Sequence, residues 1–231
     1  MKSRIGYNLA FSFYIAIILA AVTLTIANGE LFIFPWIDRL YYILLPPSII
    51  TGFYLIRHAS INPLREGSIL NPYRTGSLML PFLSGVFLGF ARVMLNDILS
   101  IQPSGVRDFA DLSTYLAQGL MGGIIINFFI MTLLVALICR KTTYVSFPAV
   151  PFWTLAILLS FLEPFFILRG YLAAGLITNF AQAIFTFEII YLINIAAFMF
   201  FRYRGWIPAL LIRFAESACF TLMFLFTTWI N

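Results

Sequence analysis

Residues 175–201 read GLITNFAQAIFTFEIIYLINIAAFMFF, and after Arg202-Tyr203-Arg204-Gly205 residues 206–229 read WIPALLIRFAESACFTLMFLFTTW. Each run exceeds the roughly 20 apolar residues that cross a hydrocarbon core about 30 Å thick. The first carries one formally charged residue, Glu188, and the second carries two, Arg213 and Glu216. Two such runs joined by a short basic turn read as a helical hairpin in a bilayer, with the turn at one membrane face.

The rest of the chain follows the same pattern. Of 231 residues, 62% are hydrophobic and only 10% are charged, with a mean hydropathy of +0.98. A soluble domain is about half apolar and a quarter charged, so that class is excluded. Disorder needs low hydrophobicity and high charge, and is excluded too. Five more apolar segments separate at 7–28, 40–57, 77–98, 115–139 and 152–168. The expected fold is therefore all-α, a single polytopic transmembrane bundle of about seven spans. The run after Met1-Lys2-Ser3-Arg4 is too long for the apolar core of a signal peptide and reads as a first span.

Loop charges set the expected sidedness. With the N-terminus inside, inner loops carry Lys2, Arg4, Arg57, Arg65, Arg74, Arg140, Lys141, Arg202 and Arg204, against Arg39, Arg107 and Arg169 outside. Positive residues stay inside, so the expectation is N-in and C-out in a cell (plasma or inner) membrane. The net charge of +5 is scattered in ones and twos between apolar runs, which argues against nucleic acid as a partner. The lipid bilayer is the expected partner, with other membrane subunits or a membrane peptide beside it.

Aromatic residues mark expected interfaces: Trp206 and Trp229 bracket the last span, Trp153 begins the fifth, and Tyr41-Tyr42 opens the second. Pro46-Pro47 breaks or kinks the second span, and residues 29–39 are too short to cross. Gly85-x-x-x-Gly89 and Gly119-x-x-x-Gly123 allow close helix approach in the third and fourth. Cys139 and Cys219 sit in or beside apolar segments without ligand spacing, and read as thiols rather than a metal or disulfide site. With one histidine, His58, in a loop, no metal and no haem is expected; no cofactor is called for. Walker, dinucleotide, G-x-S-x-G and H-E-x-x-H patterns are all absent.

The candidate functional residues are the charges inside spans. Glu163 lies two-thirds along the fifth, Glu188 near the middle of the sixth, and Arg213 and Glu216 in the middle of the seventh. Arg92 sits in the third, with Asn96 one turn on. A charge at mid-bilayer costs about 2.5 kcal/mol or more unless it is paired, neutralised or wet. Arg213 and Glu216 share a helix face at a spacing of three, so mutual neutralisation with Glu188 joining from the sixth span is one expectation. A polar site and an ion-paired clasp that fixes helix register both fit this pattern.

Residues 160–172, SFLEPFFILRGYL, resemble the first motif of the CPBP family, the CAAX-prenyl-endopeptidase-like or Abi membrane proteins. Residues 201–216, FRYRGWIPALLIRFAE, are similar to its last motif, a basic-Gly turn leading into a helix bearing His-x-x-x-Asn. The stretch 62–67, NPLREG, resembles its middle. In that family a glutamate and histidines activate water for peptide cleavage. Here the glutamate pair reads Glu163-Pro164, Arg169 stands one residue further on, and Arg213 occupies the final histidine position. No Phe-x-x-x-His occurs, and the distance from Glu163 to Arg213 is shorter than the family's. The resemblance thus implies a degenerate, non-proteolytic member, since general-base catalysis lacks its imidazole.

Three functions fit. A CPBP-like binding protein would gather Glu163, Arg169, Glu188, Arg213, Glu216 and Arg92 around a polar intramembrane site for a peptide, lipid or protein. A small secondary transporter would use Glu188 and Glu216 as a carboxylate relay. An accessory subunit of a larger complex would show large exposed apolar faces on both sides of the charge cluster and no cavity, whereas charges tied off in separate pairs would mark the clasp.

Overall fold

The structure is a computed structural model that describes residues 77–101, 130–131, 134, 149–173 and 175–230. Within them run five helices: α1 (Met79–Ile98), α2 (Ala149–Ser160), α3 (Leu162–Ala173), α4 (Phe180–Arg204) and α5 (Trp206–Ile230). No strand occurs among the described residues. Four stretches are long and apolar enough to cross a membrane: Met79–Ile98, Ala149–Arg169, Phe180–Arg204 and Trp206–Met223. They match the segments read at 77–98, 152–168, 175–201 and 206–229. The segments at 7–28 and 40–57, nearly all of 115–139, Pro46-Pro47, His58, Cys139 and the sidedness lie outside the described residues.

Local chemistry explains where the helices begin and end. The span read as one helix at 152–168 starts earlier, at Ala149, and is interrupted at Phe161. Pro164 has no N–H to give the Ser160 carbonyl, and its ring crowds that carbonyl. The Ser160 hydroxyl donates back to the Ala156 carbonyl at 2.7 Å, a bond that bends helices. The Phe161 N–H then takes the Leu158 carbonyl at 3.3 Å, a tighter turn.

α4 begins at Phe180 rather than at 175 because Asn179 and Gln182 form a capping box. The Gln182 N–H donates to Asn179 Oδ1 at 2.9 Å, and the Asn179 N–H donates to Gln182 Oε1 at 3.2 Å. The same glutamine donates through Nε2 to the Leu99 carbonyl at 2.8 Å, joining the start of α4 to the end of α1. At the other end Gly205 adopts φ +105, where a side chain would be strained, and turns the chain sharply into α5. Arg204 Nη1 donates to the Ser77 carbonyl at 3.1 Å, joining the end of α4 to the start of α1.

These links fix directions. Gly85 packs on Ile212, Ala215 and Glu216, and Gly89 packs on Glu216, Cys219 and Phe220, so α1 and α5 run parallel. A Cβ on Gly89 would stand 2.5 Å from the Glu216 carbonyl oxygen and 2.9 Å from Cys219 Cβ. The small-residue spacing is therefore the reason for the α1–α5 contact, the most extensive in the described fold. α4 runs against both. Phe152 near the start of α2 stacks on Phe201 and meets Phe198 edge-on, near the end of α4, so α2 and α3 also oppose α4.

The main core gathers Phe152, Phe198, Phe201, Trp206, Leu210 and Ile212. Trp206, read as a headgroup marker, is instead 2% exposed inside this core. Its position follows from the Gly205 turn, which tucks the first residue of α5 under α4. A second cluster, Ile189, Ile190 and Ile193, packs on Leu88, Ala91, Leu95 and Ile167, so α4 lies between α1 and α3.

Candidate functional site

α5 supplies two of the charges, and each reaches a different neighbour. Arg213 Nη2 donates to Glu163 Oε1 of α3. Three residues on, Glu216 Oε1 accepts from Arg92 Nη1 of α1 at 2.7 Å. Glu163, Arg213 and Glu216 are all buried, and Arg92 is nearly so. Helical side chains lean toward the helix N-terminus, which lets Arg92 reach back to Glu216 although Gly89 is the residue lying opposite it.

Each carboxylate has further surroundings. Ser217 Oγ donates to Glu216 Oε2 at 3.2 Å. The Arg92 guanidinium lies 4.2 Å from the centre of the Phe220 ring and also engages the buried Tyr171 side chain. Arg92 thus touches a carboxylate, a ring face and a phenol, a set that replaces much of its hydration. Glu163 Oε2, Asn96 Nδ2, Thr186 Oγ1 and both amide atoms of Asn194 are buried with no hydrogen-bond partner. Asn194 and Thr186 stand eight residues apart on α4, on the side that carries Ile190 and Ile193.

The structure brings together four of the six sequence-derived residues, as two pairs: Glu163 with Arg213, and Arg92 with Glu216. Arg213 and Glu216 do not bond each other. Arg169 is exposed toward the end of α3 and joins neither pair. Glu188 is exposed, on the opposite side of α4 from Ile190. It stands eight residues into α4, roughly 12 Å from its start at 1.5 Å per residue. There it lines an open groove of about 690 Å³ between α4 and the α2–α3 break, beside Phe161, Leu168, Phe187 and Tyr191. The rings of Phe161 and Tyr191 are 4.8 Å apart, and those of Phe161 and Phe187 5.6 Å, forming an aromatic wall. No α5 residue lines this groove.

Sequence reasoning did not single out Asn194, Thr186, Ser217 or Tyr171. Asn194 and Thr186 had a readable signal, as isolated polar residues in an apolar run. Tyr171 had none, because a phenol at a helix end is usually an interface residue.

Chemically, the buried centre is electrically closed: each guanidinium faces one carboxylate across a helix boundary. No group of three metal-ligating side chains occurs among the described residues. Comparison of the chain with protein-family models, with curated proteins and with solved structures finds no match.

Proposed function

We propose that this chain is a non-catalytic intramembrane binding protein that serves as an accessory subunit of a membrane assembly. The observation that carries the reading is the pairing itself. Both arginines found inside spans, Arg92 and Arg213, are engaged by Glu216 and Glu163, while Glu188 faces outward into an apolar groove. Among the described residues, such a bundle ties its buried charges in pairs and sets Glu188 in an apolar groove on its flank.

The resemblance to the CPBP membrane proteases fits the same reading. Glu163 and Arg213 occupy the positions that resemble the family's first and last motifs, and they are in contact. A cation where the family has an imidazole neutralises the glutamate and removes the base, turning a water-activating pair into a structural tie. We place the protein in the cell membrane with its N-terminus inside, on the nine-to-three excess of basic residues in the inner loops.

The test is extraction of the full chain from its native membrane in a mild detergent, followed by mass determination in solution. An assembly containing other chains is expected. A species made of this 26.3 kDa chain alone would overturn the reading. So would peptide cleavage by the purified protein that is abolished by Glu163→Gln.

A further inference from the structure

The outward groove has a shape and a charge that together specify an occupant. Its α4 side carries two parallel rows at a spacing of four, Ile184-Glu188-Leu192 and Ala183-Phe187-Tyr191. Rows of this kind are the ridges that interlock with the grooves of another helix. The lining runs from Phe180 to Leu192, thirteen residues or roughly 18 Å of helix, more than half the hydrocarbon thickness. Ala183 is the low point at which a second backbone can come near.

Glu188 interrupts this otherwise apolar surface. Among the described residues no hydrogen bond or ion pair reaches it, and a carboxylate at this depth is costly without a counter-charge. Among the described residues the chain has little to offer it: Arg169, near the end of α3, forms no ion pair with it. Arg92 and Arg213 are held by Glu216 and Glu163. The apolar segments 7–28, 40–57 and 115–139 carry no Lys, Arg or His within them, Arg57 standing at the last position of one. A second copy of the chain offers the same inventory.

We infer that the groove docks a transmembrane helix of a different protein, one presenting a single Lys or Arg at the depth of Glu188. This rests on the accessory-subunit reading and names the chemistry of its partner. Apolar ridges supply the packing, and the Glu188–cation pair supplies register and selectivity.

The test uses the full chain in phosphatidylcholine vesicles with three synthetic Leu/Ala transmembrane peptides that differ at one position, Lys, Gln or Leu, at the depth of Glu188. Energy transfer from the tryptophans of the chain to a dansyl group on the peptide reports binding. The Lys peptide is expected to bind about tenfold more tightly than the Leu peptide, the scale of an interhelical polar contact. Glu188→Gln should abolish that preference, and Ala183→Phe should weaken all three peptides. Circular dichroism confirms that both variants fold. Equal binding of the peptides, or a Lys preference that survives Glu188→Gln, overturns the inference. Dodecylamine that binds through Glu188 while no peptide does would assign the groove to a small lipophilic amine and overturn it equally. If the inference fails while the chain extracted from its membrane remains in a larger assembly, the accessory reading stands and its contact lies elsewhere.

Discussion

Arg92 and Glu216 meet at 2.7 Å across the parallel pair of α1 and α5, at the level where Gly85 and Gly89 bring the two backbones together. Close approach and ion pair depend on each other. Without the glycines the helices would separate and the guanidinium would lose its carboxylate. Without the pair, the tightest helix contact would hold a buried charge.

Arg92→Leu should therefore destabilise the protein strongly, by about 3–5 kcal/mol, because Glu216 is left buried without its cation. Combining it with Glu216→Leu should recover most of the loss, since an apolar pair of similar volume often replaces a buried ion pair without cost. Unfolding in mixed detergent micelles, followed by far-UV circular dichroism, measures both. A double variant as unstable as the single one would contradict this account.

Gly89→Ala introduces a Cβ against the Glu216 carbonyl and Cys219 Cβ. Separating α1 from α5 to admit it should cost about 1–3 kcal/mol, the usual range for overpacking. Spin labels on exposed positions such as Phe87 and Leu222 should report a wider gap by pulsed dipolar spectroscopy. An unchanged distance with unchanged stability would contradict the packing described.

Asn194 is fully buried with both amide atoms unbonded. Asn194→Leu should stabilise the bundle by about 1 kcal/mol or more, because it removes an unsatisfied polar group from an apolar site. Loss of stability in the same unfolding assay would show that the amide is bonded in the membrane.

Gln182→Ala removes one half of the capping box of α4 and the link to the Leu99 carbonyl. A loss of about 1–2 kcal/mol is expected, of the size seen for caps. Amide exchange should quicken over the first turn of α4 and leave the Phe198–Phe201 end unchanged. Uniform quickening along the helix would argue against a local cap.

The spans were legible because apolar length is a property of composition, and residues 77–98 and 206–229 need little more than counting. Helix ends were less legible. The start of α4 is set by Asn179 and Gln182, whose bonds extend over three residues and do not alter hydropathy. The interruption at Phe161 was readable in Pro164, which removes a donor one turn after Ser160. The inward and outward faces of α4 were not readable, because that helix is apolar all round and has no periodic contrast. Glu188 therefore looked like a neighbour of Glu216 when it faces the other way. Depth along a span follows from counting, whereas facing depends on which helices pack beside it. For the same reason, a spacing of three placed Arg213 and Glu216 on one side of α5, but could not say that each reaches a different helix.

The parallel contact of α1 with α5 joins residues 124 positions apart, and the Glu163–Arg213 tie spans 50. During synthesis at about 5–20 residues per second, Arg92 waits roughly 6–25 s for its counter-ion to be made. Glu163 waits a shorter time. α5 thus supplies the partners of two earlier residues at once, so the nascent bundle stays electrically incomplete until that helix is made. A chain cut short before Arg213 would leave both Arg92 and Glu163 without these partners, at the cost of unpaired charges inside spans.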